Sequence, residues 1–376
     1  MNKDNTYDMS TNATSKYSLH TITLRIKLQE GFDDLIRISI DQLCKERYPQ
    51  RKYKMENNNY CKYYFDLARH YGFNSIKLVE VHAKNLFHPK YYLDIKINPW
   101  RLFHSDTYPF IYIATMDDLI KSYQLVQTLL HDLELPETLI KRFYLKRVDF
   151  CTNISIGSTD AVDEYMKILH YGTYPYSFHR LLEYSPTQKR WIPTKNSFTV
   201  SSKEIQFSLY NKYKQLKAEH NKYDSNEIEA AKGKIRIELR IDRSAIKRKE
   251  NKYKLADSLE FIQLAADMAG IDFPRYLKMI YGSGTFVTYK EAKKIIENTN
   301  HRRQTKDLLL QMLFAVKENR SLQLVKEELG KEDYNKCIRL FNHIGISPIT
   351  IDKRATIKEF EHPIYYIDNF NCNHPD

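Results

Sequence analysis

The sequence predicts an α+β fold, a largely antiparallel sheet with helices packed on one face, followed by a helical domain. Short stretches of period-two alternation recur between Leu19 and about Lys254, interleaved with helical periodicity. None is followed by a Gly-rich phosphate loop, and none is the continuous apolar run of a parallel strand buried on both faces. Beyond Lys254 the strand signal stops and helical periodicity takes over, broken by Gly270, Pro274, Gly282, Gly284 and Gly330.

In chain order, residues 1–18 are low in hydrophobicity and without periodicity, and read as a disordered arm. Residues 19–254 form the first folded domain. It opens with strands at Thr21–Lys27, Ile76–His82, Tyr92–Ile97 and Phe110–Ile113. A helix then starts at Thr115, with Asp118 completing a start like a capping box. It places Leu119, Tyr123, Val126, Leu130 and Leu133 on one face and stops before Pro136. Three further strands follow, Lys146–Cys151, Ile205–Lys212 and Ile235–Asp242. Residues 255–376 make the helical domain and a short tail. Within it Thr288–Glu291 reads as a capping box, ahead of helices at Thr305–Glu318, Ser321–Leu329 and Lys331–His343.

A chain of 376 residues is long enough for two such domains. Its longest apolar runs, such as Leu308–Val316, fall well short of the roughly 20 residues that span a bilayer. Met1–Ser18 lacks the apolar core of a signal peptide, so a cytoplasmic protein with no membrane partner is expected. The five cysteines are scattered without a C-x-x-C pair, as expected of reduced thiols. A net charge of +12 points to an acidic partner, and nucleic acid is the commonest one. An AT-rich genome accounts equally well for the 29 Tyr and 18 Phe, so the functional reading turns on arrangement. On that reading the last three helices are compatible with a helix-turn-helix, with Tyr334, Lys336 and Arg339 on a DNA-reading helix. A plain bundle with a charged outer face fits the same pattern.

The arrangement that carries chemistry lies in the last three strands of the first domain. Successive side chains in a strand point to opposite faces. Val148 and Phe150 therefore go inward and Arg147, Asp149 and Cys151 outward. Ile205, Phe207 and Leu209 go inward, with Gln206, Ser208, Tyr210 and Lys212 outward. In the third strand four aliphatic residues go inward and Arg236, Glu238, Arg240 and Asp242 outward. If the strands are neighbours, one face offers carboxylates for a hard divalent cation, a nucleophilic hydroxyl and cations for phosphate oxygens. A phenol with a free pKa near about 10 needs help to attack at neutral pH, and Lys212 would supply local positive charge. An amphipathic sheet with paired charges on a solvent face gives the same alternation.

The order Arg147-Val-Asp149, Leu209-Tyr-Asn-Lys212, Arg236-Ile-Glu238-Leu-Arg240 resembles the replication initiation factor family, the initiators and relaxases of rolling-circle plasmids, phages and integrative elements. The likeness is strongest over Lys146–Arg243. It implies an RRM-like, relaxase-like sheet, nicking of one DNA strand at an origin, a 5′-phosphotyrosyl intermediate and a requirement for Mg2+ or Mn2+. Carried over by position, Tyr210 is the nucleophile and Asp149 and Glu238 are metal or structural carboxylates. Tyr213, three residues on, is the other candidate nucleophile. The better-known rolling-circle enzymes bind metal through a His-hydrophobic-His pair, which this chain lacks. Glu80, His82 and Asp94 lie on expected strands and are further candidate ligands, as is Asp242. Arg147, Arg236 and Arg240 would stabilise phosphate charge. The segment Tyr171–Arg190, which includes Arg180, mixes aromatics and cations in a way that suits unpaired bases. Single-stranded or melted origin DNA, a host helicase and a second copy of the chain are the partners expected. The alternative is a non-catalytic nucleic-acid-binding protein whose basic sheet face only cradles its ligand.

Overall fold

The computed structural model describes residues 18–28, 32–49, 51–56, 59–82, 89–99, 102, 116–185, 187–219, 225–255 and 258–369. The arm expected over residues 1–18 lies outside this set except for Ser18, which already begins a strand. The strand expected at Phe110–Ile113 and the helix-starting Thr115 also lie outside it.

The first part of the chain runs β1 (Ser18–Lys27), α1 (Phe32–Glu46), β2 (Arg51–Glu56), β3 (Asn59–Tyr64), α2 (Phe65–His70), β4 (Ser75–Val81) and β5 (Lys90–Ile97). Next come α3 (Met116–Asp132), a 3-10 turn (Glu137–Arg142), β6 (Tyr144–Ser155), α4 (Thr159–Leu169), β7 (His179–Arg180), β8 (Glu183–Ser185), β9 (Arg190–Ile192) and β10 (Ser197–Ser201). Then follow β11 (Ile205–Asn211), α5 (Lys212–Ala218), α6 (Ser225–Ala230), β12 (Lys234–Asp242), α7 (Arg243–Tyr253) and α8 (Ser258–Tyr281). The remainder is β13 (Phe286–Val287), α9 (Tyr289–Glu297), α10 (Arg303–Asn319), α11 (Leu322–Leu329), α12 (Lys331–His343), β14 (Glu359–Phe360) and α13 (Pro363–Asn369).

The fold is α+β, as the alternation predicts. Ten strands form one sheet in the order β2-β3-β4-β5-β1-β6-β12-β11-β10-β7, and each pairing is antiparallel. The three motif strands are consecutive, with the last in sequence, β12, between β6 and β11. Of their nine inward residues, Val148, Phe150, Phe207, Leu209, Ile235, Ile237, Leu239 and Ile241 are buried, while Ile205, at the start of β11, is half-buried. Helices cover that face. Phe207 meets Phe273 and Tyr276 of α8 at ring-centroid distances of 6.0 and 5.6 Å, and Phe198 meets Tyr281 at 6.0 Å. Burying each such ring contributes about 1.5–3 kcal/mol, which fixes α8 on the sheet.

That burial explains a departure from expectation. Gly270 and Pro274 read as breaks, yet α8 runs through both. Proline inside a helix costs about 3 kcal/mol, partly because its ring meets the carbonyl four residues back. Here that residue is Gly270, which has no side chain to restrict the backbone's adjustment. The apolar face made by Phe261, Phe273, Leu277, Ile280 and Tyr281 offsets the remainder.

Packing is continuous across residue 254. Tyr165 of α4 stacks on Phe360 at 4.8 Å and meets Phe286 edge-on at 5.9 Å, so sheet and helical segment share one hydrophobic core. The helices expected near residue 305 and beyond form as α10, α11 and α12. Ser321 caps α11 by accepting a hydrogen bond from Leu324 N, and Thr288 caps α9 by accepting from Glu291 N. Of the three side chains proposed to read a groove, Tyr334 is buried, which leaves Lys336 and Arg339 exposed on α12. Among the described residues no helix is long and apolar enough to cross a membrane. Cys44, Cys61, Cys151 and Cys337 are buried free thiols.

Candidate active site on the polar face of the central strands

The site lies where β1, β6, β12 and β11 run side by side, on the face away from α8. The register sets the neighbours. Across β6 and β12, Asp149 stands opposite Arg240 and Asn153 opposite Arg236. Across β12 and β11, Glu238 stands opposite Ser208 and Arg236 opposite Tyr210. The sequence thus brings Arg147, Asp149, Tyr210, Arg236, Glu238 and Arg240 onto one surface, in the alternation that buries their flanking aliphatics.

Tyr210 donates its phenolic hydrogen to Glu238 Oε1 at 2.6 Å. Burial, then the Glu238 charge, push the phenol well above its ordinary pKa. Unaided ionisation at neutral pH is therefore disfavoured, and Glu238 is placed to receive the proton. Lys212 lies 5.9 Å from the Tyr210 ring and donates to Gln215 Oε1 at 2.8 Å. It is 2 % exposed, and burial together with the Arg236 charge lowers its pKa to about 7. The sequence places Lys212 on the strand. In the structure β11 ends one residue earlier, because Asn211 accepts a hydrogen bond from Lys214 N at 3.1 Å and so caps α5.

Asp149 is 4 % exposed. Arg147 donates to both of its oxygens at 3.0 and 2.7 Å, Arg240 donates to Oδ1 at 3.2 Å, and Thr21 donates to Oδ2 at 2.6 Å. The two guanidiniums, with these hydrogen bonds, hold the carboxyl below its usual range despite desolvation, the largest single effect. Arg240 also reaches Gln206 Oε1 at 2.9 Å. Arg236 is buried and donates through Nε to Asn153 Oδ1 at 3.0 Å. That bond fixes the Asn153 amide with its buried nitrogen unsatisfied.

A divalent cation needs carboxylate oxygens free to coordinate it. Both oxygens of Asp149 are engaged by arginine and threonine, and Oε1 of Glu238 accepts from Tyr210. Among the described residues no group of three His, Cys, Asp or Glu side chains is placed to share an ion. The residues present fit a guanidinium–carboxylate lattice rather than a metal's ligand shell.

Of the other candidates Asp242 borders this cluster, beside Arg147 and Arg240, and the rest lie apart from it. Asp94 on β5 is buried between Arg25, at 2.8 Å from Nη2, and Lys146, also at 2.8 Å. His82 follows β4 at the far side of the sheet and pairs with Glu80 at 2.9 Å. Asp242 ends β12 opposite Arg147, and burial raises its pKa. Tyr213 lies on α5 between Lys217 and Lys232, each 5.7 Å from its ring. Arg180 stacks on Phe198 at 5.2 Å and donates to the His170 carbonyl, on the helix-covered face.

Sequence reasoning missed three residues that the fold adds. His20 is the extra residue of a β-bulge between Leu19 and Thr21, which turns it toward the site. Its Nε2 lies 3.8 Å from Glu238 Oε1. Burial and the Arg236 charge lower its pKa to about 4, so it is neutral at pH 7. Lys96 on β5 lies near Arg147, Asp149, Arg240 and Glu238, and burial lowers its pKa. Asn153 continues the outward series of β6 past Cys151, so carrying the alternation two residues further finds it. The bulge leaves no such signal for His20.

No protein-family model matches the chain, and no curated protein matches it. Among solved structures it is similar to a rolling circle replication initiator protein from Geobacillus stearothermophilus, with 10 % identity and a TM-score of 0.25. The match covers 67 % of this chain and 78 % of that one. The functional reading rests on the site's own geometry.

Proposed function

We propose that this chain is a DNA strand transferase of the rolling-circle initiator kind, nicking one strand through Tyr210 and later resealing it. The observation that carries this reading is the half-buried Tyr210–Glu238 hydrogen bond, set among Lys212, Arg236 and Arg240 on the face formed by the three motif strands. In the forward step Tyr210 Oη bonds to phosphorus as its proton passes to Glu238. The bond from phosphorus to O3′ breaks, and O3′ takes a proton from Lys212. The 5′ end is held as a phosphotyrosyl ester with a free 3′-hydroxyl beside it, and the reverse steps religate the strand. Arg236 and Arg240 offset charge on the phosphate oxygens, and locking Asp149 keeps the arginines in place. Magnesium or manganese belongs to the reading as a requirement to be tested, and no step above passes through it. Origin DNA, a host helicase and a second copy of the chain are the proposed partners, in the cytoplasm.

The test is incubation with labelled single-stranded oligonucleotides from the replicon that encodes the protein, with and without each metal, followed by denaturing electrophoresis. A protein–DNA band that disappears in Tyr210→Phe supports the reading. A band that survives there and disappears in Tyr213→Phe moves the nucleophile. Salt-sensitive binding with no band under any condition makes the chain a non-catalytic binder.

A further inference from the structure

A charged cavity whose lining includes none of the residues around Tyr210 lies in the helical segment, with Tyr171 on its wall. It occupies about 710 Å³ between the start of α9, the end of α10 and the segment 350–358. This volume is within the range of about 300–1,000 Å³ common to ligand pockets. Six cations line it, Lys290, Lys317, Arg320, Lys353, Arg354 and Lys358, against two acids, Glu318 and Asp352. The acids pair with Lys317 at 2.9 Å and Arg354 at 3.4 Å. Among the described residues, the side chains of Lys290, Arg320 and Lys353 make no ion pair. Arg320 also has a left-handed backbone, with φ of 50°, at the C-cap of α10. Glycine is the usual residue at such a helix end, so a guanidinium stands here against the backbone's preference. Half-buried Tyr171 and Tyr289 line the same cavity, with the Lys317 ammonium 5.1 Å from the Tyr289 ring centre.

We propose that this cavity binds a phosphate-bearing nucleotide unit, supplied by a nucleic-acid strand that the protein also engages at Tyr210. Excess exposed cations meet phosphodiester charge, and Tyr171 and Tyr289 are the aromatic side chains that a base would meet. The inference rests on nucleic acid being the partner, as proposed above, but not on Tyr210 chemistry.

The experiment is fluorescence anisotropy of a fluorescein-labelled oligothymidylate with the full chain across a salt series. Wild type, Tyr210→Phe and Lys290→Glu/Lys353→Glu are compared, with the milder Lys290→Gln/Lys353→Gln as a second pair and thermal melts to confirm folding. The charge-reversed pair is expected to bind at least about tenfold more weakly, with a salt slope shallower by about 1.4, since each neutralised single-strand phosphate contributes about 0.7. Tyr210→Phe removes the proposed nucleophile, so binding compared in that background is free of covalent capture, and its outcome is separable from failure of the nicking reading. Wild-type affinity and slope in both lysine pairs would overturn the proposal. In a competition arm, displacement of the oligonucleotide by ATP or inorganic phosphate at equal phosphate concentration would assign the cavity to a free phosphate compound and overturn the strand-binding claim.

Discussion

Lys212 is the residue whose protonation decides most about the site. Its ammonium is held in a buried place beside Arg236, and its pKa falls to about 7 from 10.5. Folding therefore favours the neutral amine, so stability rises with pH between these values and the buried charge costs most below pH 7. As the proposed proton donor to O3′, Lys212 must be charged. The rate of adduct formation should then decline as pH rises through about 7. Lys212→Arg stays charged at every pH used but is a poor proton donor, so it should react more slowly and lose that decline. A pH–rate series on both proteins checks this, and identical profiles would remove Lys212 from the proton path. Tyr210, Glu238, Asp149 and the arginines were legible in the sequence because strand alternation exposes them. The role of Asp149 was not legible, since two of its hydrogen bonds come from Thr21 on β1 and Arg240 on β12, which alternation along one strand does not encode. His20 was hidden by a bulge, and Lys96 becomes a neighbour only once β5 is known to lie two strands from β6.

At the level of elements, the boundary between β11 and α5 positions Tyr210, the proposed nucleophile, against Lys212. Asn211 makes that boundary, accepting from Lys214 N and donating to Asp163 at 3.1 Å. Asn211→Ala should lower stability by about 1 kcal/mol through loss of the cap, while Asn211→Ser, which retains a capping oxygen, should recover most of it. Urea unfolding of the three proteins measures the difference, and equal midpoints would show that the cap contributes nothing. Gly233 plays a related part before β12. Its φ is +73° and a Cβ there would collide with the Gly157 carbonyl, so the start of the central motif strand depends on a residue without a side chain. Helices with capping signals, such as α9 and α11, were readable almost to the residue at their starts because their caps are local. The hairpin of β2 and β3 was not, because Lys, Asn and Tyr dominate its sequence and hide the alternation.

For the whole molecule, the sheet and the helical segment share a core, so α8 and the elements after it complete the face that the strands leave apolar. A chain ending at Lys254 would expose Phe198, Phe207 and Tyr165, and it should aggregate or unfold without a cooperative transition, whereas the full chain should melt as one unit. Calorimetry resolving two independent transitions in the full chain would contradict the shared core. The overall architecture was legible because one buried face per strand is a periodic signal. The joining of the two segments was not, since it depends on pairings such as Tyr165 with Phe360 that lie far apart in the chain. The central claim, that the polar face of β6, β12 and β11 performs strand transfer through Tyr210, is tested most directly by locating the covalent link. After reaction with a replicon oligonucleotide and nuclease trimming, trypsin separates the peptide Glu204–Lys212, which contains Tyr210, from Tyr213–Lys214. Mass spectrometry is expected to find the nucleotide phosphate on Glu204–Lys212. Its presence on Tyr213–Lys214, or on any peptide from outside this face, would contradict the account.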